Sequence, residues 1–144
     1  MNTLRCVVFD TNTLVSAALR VGSVPHRALL YAFAEGDVCA SEATLAELEQ
    51  VLLRPKFDRY QAQNVRREFA ALLRRNARLF TVSGVDERDT APTCRDPKDH
   101  KFLTLAKVCS AAALISSDAD LLVMHPWQGV PIMTPAAFVA LLEP

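Results

Sequence analysis

Leu4-Arg5-Cys6-Val7-Val8-Phe9-Asp10-Thr11-Asn12-Thr13 changes character at a single residue. Residues 4–9 are mostly apolar, as in a strand of a parallel sheet covered on both faces. A carboxylate and three small polar residues follow at once and supply helix-capping chemistry, which predicts a helix over 11–20. A buried strand that runs directly into a capped helix is the opening of a β-α unit.

The alternation continues downstream. Val21-Gly22-Ser23-Val24 breaks the first helix, and Pro25 opens a second that reaches Gly36. Val38-Cys39-Ala40 predicts a second strand, and Ser41 caps a helix that ends near Arg54, before Pro55. A long helix is expected over 62–78, a third strand over 79–82, a polar loop over 84–95 and a helix over 97–110. Residues 112–116 predict the fourth strand. Val130-Pro131-Ile132-Met133 predicts the fifth, its proline marking a sheet edge. Thr134 and Pro135 open the last helix. The expected fold is α/β: one domain over 1–144 with a mostly parallel sheet of about five strands flanked by helices.

Composition narrows the function classes. With 51% hydrophobic and 22% charged residues the chain can bury a core and is not disordered. Sixteen basic and sixteen acidic residues cancel, so net charge argues for no particular partner and charge placement has to. Cys6, Cys39, Cys94 and Cys109 form no C-x-x-C pair and read as buried thiols. No apolar run approaches a membrane span, and a cytoplasmic protein is expected. No Gly-rich phosphate loop or G-x-S-x-G elbow is present, and His26, His100 and His125 have no ligand spacing.

What remains is a set of acids. In parallel sheets, sites form beyond the carboxyl ends of the strands. Asp10 directly follows the first strand, and Asp118 follows the fourth in Ser116-Ser117-Asp118-Ala119-Asp120. Either residue alone also reads as a helix cap. Asp99, in Arg95-Asp96-Pro97-Lys98-Asp99, precedes Phe102 by three residues, Leu103 by four and Ala106 by seven, so it points along the apolar stripe of its helix. A carboxylate on that side is costly unless it is paired, protonated or bound to a cation. Asp96 before Pro97 reads as an N-cap. On the 41–54 helix, Leu45, Leu48 and Leu52 mark the buried face, and periodicity leaves Glu47 and Glu49 both open. Carboxylates with few other polar groups suit a hard cation such as Mg2+ or Mn2+. Residues 54–78 carry eight basic side chains against two acidic ones. Arg67, Arg74 and Arg78 lie opposite an expected apolar face of Val65, Phe69, Leu72 and Leu73, as either a solvated face or a stripe for RNA phosphates or an acidic partner.

These pieces resemble the PIN-domain family over nearly the whole chain, and most of all its VapC-like branch of bacterial and archaeal toxin components. The resemblance is carried by Val7-Val8-Phe9-Asp10-Thr11-Asn12 with Leu14-Val15-Ser16, by Ser41 and Ala46-Glu47-Leu48, and by Arg95-Asp96-Pro97-Lys98-Asp99 with Phe102-Leu103. Ser117-Asp118-Ala119-Asp120-Leu121-Leu122 and Thr134-Pro135-Ala136-Ala137-Phe138 complete it. It implies a metal-dependent ribonuclease, with Mg2+ or Mn2+ held by Asp10, Asp99 and Asp118 and with Glu47, rather than Glu49, as the fourth acid. It implies Asp96 and Asp120 as outer acids and Asn12 and Ser41 as polar supports. The implied partners are RNA and a cognate antitoxin protein, with a homodimer as a further candidate assembly. Two departures are Ser116-Ser117 before Asp118, where the family often has Thr and a small residue, and Lys98. Phe9-Asp10-Thr11-Asn12-Thr13 is also similar to the nucleophile motif of haloacid-dehalogenase-like phosphohydrolases, but that chemistry wants an Asp where Asn12 stands. A catalytically silent RNA- or protein-binding module is the remaining alternative, and it would not need a metal.

Overall fold

The computed structural model describes residues 4–144. Five strands form one sheet: β1 (Leu4–Phe9), β2 (Gly36–Ala40), β3 (Arg78–Leu79), β4 (Ala113–Ile115) and β5 (Ile132–Met133). Their order is β3-β2-β1-β4-β5, and every pairing is parallel. The sheet order reverses at β1, so the chain leaves the centre of the sheet at Phe9. β5 is an edge strand, as Pro131 predicts.

β1 is central because its two faces are both apolar. Val7 and Phe9 face one core, with α1 (Thr11–Leu19), α2 (Val24–Glu35), α3 (Glu42–Leu52), α4 (Gln63–Asn76) and α8 (Pro135–Leu142). Cys6 and Val8 face the other, packed by α6 (His100–Val108) and by Leu121, Trp127 and Val130. This period-2 division of an unbroken apolar run is what a doubly covered strand requires. Phe9 meets Phe138 edge to face, ring centroids 6.4 Å apart, which ties α8 to the centre of the sheet. Among the described residues no helix is long and apolar enough to cross a membrane.

The four thiols are buried, as expected. The sulfur atoms of Cys6, Cys39 and Cys109 lie within 4.8 Å of one another. Burial pushes the Cys6 thiol up to about 11, while a hydrogen bond with Cys109, together with burial, pushes Cys39 up as well. Both stay neutral and pack as small apolar groups.

Several boundaries differ from the sequence reading. The expected polar loop at 84–95 contains a short helix, α5 (Gly84–Asp89), closed at its start by a Ser83–Asp86 capping box. The helix expected over 97–110 begins as a 3-10 turn, Pro97–Asp99. The third strand lies at Arg78–Leu79 rather than 79–82, with Phe80 continuing the pairing through one amide to Ala40. The larger correction is the face of α4. Leu73 is buried and Phe69 packs against the core as expected, but Val65 is 47% exposed and Leu72 45% exposed, and Arg66 and Ala70 are buried instead. A buried guanidinium turns the helix. Arg66 is fully enclosed and donates to the carbonyls of Leu52, Arg54 and Gln61 and to the Asp58 carboxylate. It thereby satisfies the Leu52 carbonyl where α3 ends and draws in the chain that follows, which hydropathy periodicity cannot register.

Arg66→Met keeps the stem and removes the donors. Leaving the buried Leu52 carbonyl without its donor, with the Gln61 and Asp58 contacts also lost, should destabilise the fold by about 2–3 kcal/mol, read as a lower urea midpoint. Arg67→Met, on the exposed side, should stay within about 0.5 kcal/mol of the parent.

Candidate active site

The carboxyl edge of the sheet gathers its acids by ending each element on a capping residue. β1 ends at Phe9, and Asp10 caps α1 by accepting from the Thr13 amide at 2.9 Å through Oδ1. β4 ends at Ile115, and Asp118 caps the four-residue helix α7 (Ala119–Leu122), accepting from the Asp120 amide at 2.8 Å. Asp96 caps the 3-10 turn, accepting from the Lys98 amide at 3.0 Å, and Asp99 closes that turn where α6 begins. The capping reading of Asp10, Asp96 and Asp118 and the site reading are therefore compatible. The cap fixes each side chain at a helix start, and the helix starts face a common cleft.

That cleft has a volume of about 540 Å³ and is lined by Asp10, Glu47, Asp96, Asp99 and Asp118 together with Thr11, Asn12, Arg54, Lys98 and Phe102. Ser116 joins two of the acids. Its hydroxyl donates to Asp10 Oδ2 at 2.5 Å and accepts from the Asp118 amide at 2.9 Å. Sequence reasoning passed over Ser116 as a supporting group and treated Ser116-Ser117 only as a departure, although the position directly after a central strand was the available signal. Glu47 projects from α3 into the cleft, whereas Glu49 faces away and pairs with Arg74 at 3.0 Å. Thr11 donates to Glu47 Oε1 at 2.5 Å, and Lys101 donates to Glu47 Oε2 at 2.5 Å.

The electrostatics follow from burial of like charges. Asp10 is 3% exposed and Asp99 8% exposed. Burial pushes the Asp10 carboxyl up, and the Asp118 charge adds to it, against the hydrogen bonds from Ser116 and Thr13. Asp99 is pushed up to about 7 by burial first, then by a hydrogen bond with Asp118 and by the charges of Asp118, Asp96 and Asp10. The cleft thus holds more negative charge than its own side chains balance.

Not every expected residue reaches this place. Ser41 does not line the cleft. It caps α3 in a capping box with Thr44, and so orients the helix that carries Glu47. Asp120 is also outside the lining, and its carbonyl accepts from the Cys94 thiol at 3.3 Å. Asn12 does line the cleft. The basic stripe is corrected. Arg67 is exposed on α4, but Arg74 pairs with Glu42 and Glu49. Arg78 sits on β3, beside Asp37 at 3.6 Å and over the Phe80 ring. The helix ends at Asn76, so the three arginines do not share one helical face. The basic group that contacts a cleft acid is Lys101, on Glu47, while Arg54 and Lys98 line the cleft, and periodicity picked out none of the three.

A parallel α/β domain with an acidic cleft at its switch point defines a class of protein, and comparison with known sequences gives the family. A family profile described as PIN domain matches residues 6–120. The chain belongs to the PIN-domain family. It is 31% identical over 118 residues to an uncharacterized protein of Methanocaldococcus jannaschii, spanning 81% of this chain and 72% of that one. Solved structures of similar fold include VapBC2 from Rickettsia felis bound to a promoter DNA fragment, with TM-score 0.65, 11% identity and coverage of 90% of this chain and 98% of that one. PAE2754 from Pyrobaculum aerophilum gives TM-score 0.62 and 13% identity, covering 96% and 90%. VapC20 from Mycobacterium tuberculosis, a sarcin–ricin-loop-cleaving toxin, gives TM-score 0.56 and 15% identity, covering 83% and 95%. At these identities the likeness is one of fold.

Asp99 has a clear consequence for stability. Its folded value of about 7 lies above the ordinary carboxylate value of 3.8, so between those limits the folded chain holds more protons than the unfolded one. Folding is therefore favoured by this group at low pH and loses that support as pH rises toward 7. In metal-free buffer the melting temperature should fall between pH 5 and pH 8, and Asp99→Asn should flatten that slope. A slope unchanged by the substitution would remove Asp99 as its source.

Proposed function

We propose that the protein is a Mg2+- or Mn2+-dependent endoribonuclease, and that it is the toxin of a toxin–antitoxin pair acting in the cytoplasm. The observation that carries this reading is the convergence of Asp10, Asp99 and Asp118 on one cleft in which Asp10 and Asp99 are buried and pushed up. Such a cluster is relieved by a cation, and an all-oxygen donor set suits a hard one. Asp10, Asp99 and Asp118 would hold the ion, with Glu47 and Asp96 beside them. When bound, the ion supplies charge neutralisation at the phosphate and a lowered pKa for the attacking water.

The chain's own residues do the rest. Ser116 keeps Asp10 and Asp118 in fixed relation through its two hydrogen bonds. Arg54 and Lys98 on the cleft wall draw in and orient the phosphate backbone of RNA. Membership of the PIN-domain family supports the reading, as does fold likeness to VapC20, a sarcin–ricin-loop-cleaving toxin. Likeness to VapBC2 favours an antitoxin protein as partner. A silent binding module is set apart by its indifference to metal, because binding alone needs no cation.

Asp10→Asn, Asp99→Asn and Asp118→Asn each remove a charge at nearly constant shape. Each should reduce Mn2+-dependent RNA cleavage to background while the circular dichroism spectrum stays native. Metal should also raise the melting temperature, since binding at ~100 times the Kd adds about 2.7 kcal/mol to the native state. Full cleavage by any two of the folded variants, or a melting curve indifferent to Mn2+, would overturn the assignment.

A further inference from the structure

Glu47 is the one cleft acid that, among the described residues, already carries a cation. Lys101 Nζ lies 2.5 Å from its Oε2. The pair is not a loose surface contact, because both side chains are only 25% exposed and the ammonium is held from more than one side. Lys101 also donates to the Lys98 carbonyl at 2.5 Å and stands 5.5 Å from the centre of the Phe102 ring. The other oxygen of Glu47 accepts from Thr11 at 2.5 Å. Glu47 on α3, Thr11 on α1 and Lys101 on α6 thus form one chain across three helices, with the carboxylate as its middle link. Asp10, Asp96, Asp99 and Asp118 have no such ion pair among the described residues. A cation is fixed on Glu47 and none on the four aspartates.

A divalent ion arriving at Glu47 would have to displace the ammonium from Oε2 and leave it unpaired beside a like charge, both unfavourable in a partly enclosed site. We propose that Lys101 takes on Glu47 the place a second divalent ion would otherwise occupy, so that the cleft binds a single ion on Asp10, Asp99 and Asp118. Lys101 is then a built-in counter-charge, and Glu47 its holder rather than an inner ligand. This rests on the reading of the cleft as a metal site.

The experiment counts Mn2+ on the full chain by calorimetry and by the electron paramagnetic resonance of the unbound ion. The parent, Lys101→Met, Lys101→Arg and the Asp10→Asn/Asp118→Asn double variant are compared. Methionine keeps the stem against Phe102 and removes the charge, whereas arginine keeps the charge. One ion is expected on the parent and on Lys101→Arg. A second is expected on Lys101→Met, bound at least about tenfold more tightly than any further Mn2+ on the parent, a difference of about 1.4 kcal/mol. Glu47→Gln in the Lys101→Met background should return the count to one. Two ions on the parent, or one ion on a folded Lys101→Met variant, would overturn the role of Lys101 and leave the metal site standing. No Mn2+ on the parent beyond that on the double aspartate variant would overturn the metal reading itself, and the proposal with it.

Discussion

Carboxylates brought together out of water repel one another and miss their hydration, and the fold around the cleft is arranged against that strain. Asp10 is the clearest case. It is almost fully buried at the end of the central strand, held by the Thr13 amide on one oxygen and the Ser116 hydroxyl on the other, with its own amide donating to the Ile115 carbonyl at 3.1 Å. Capping therefore serves two ends. It closes the first turn of a helix and it fixes a carboxylate at the edge of the sheet. Because the same solution recurs at Asp96 and Asp118, the elements that make the fold are also the elements that make the cleft.

Hydrogen bonds alone do not balance the charge. Burial first, and then the charge of Asp118, raises the Asp10 and Asp99 carboxyls. At the Glu47 end the protein supplies its own cation in Lys101. Elsewhere several arginines are committed to structure. Arg66 closes the carbonyls at the end of α3, Arg74 links α4 to Glu42 and Glu49, and Arg27 pairs with Glu143. A chain with no net charge can still present a polarised cleft, because five acids line it against two basic side chains, Arg54 and Lys98.

The order of elements and the parallel α/β class were legible in the sequence because strand and helix periods are local and β1 is mostly apolar, unbroken from Cys6 to Phe9. Asp10, Asp99 and Asp118 were legible because sheet topology places sites after strands, and because Asp99 lies on an apolar stripe. What failed was each inference that required knowing what a polar group touches. The α4 face was misplaced by the hydropathy of Val65 and Leu72, since an arginine counts as solvent-facing until its acceptors are known. Residues 84–95 looked like a loop because the short helix within them has no apolar face to reveal it.

By itself, then, the sequence determined the strand–helix alternation, the buried character of β1, the capping residues and the aspartates that follow the strands, all of which are set by interactions within a few residues along the chain. Glu47 over Glu49 came from the family resemblance and not from periodicity, and only the tertiary structure decided that Ser116 binds Asp10 to Asp118 and that Lys101 rather than the arginines of residues 67–78 meets the acids. Those contacts join residues 54 and 106 positions apart, as in Lys101 with Glu47 and Ser116 with Asp10. Periodicity reports which way a side chain faces on its own element, whereas these pairings depend on how separate elements pack, and no local pattern carries that information.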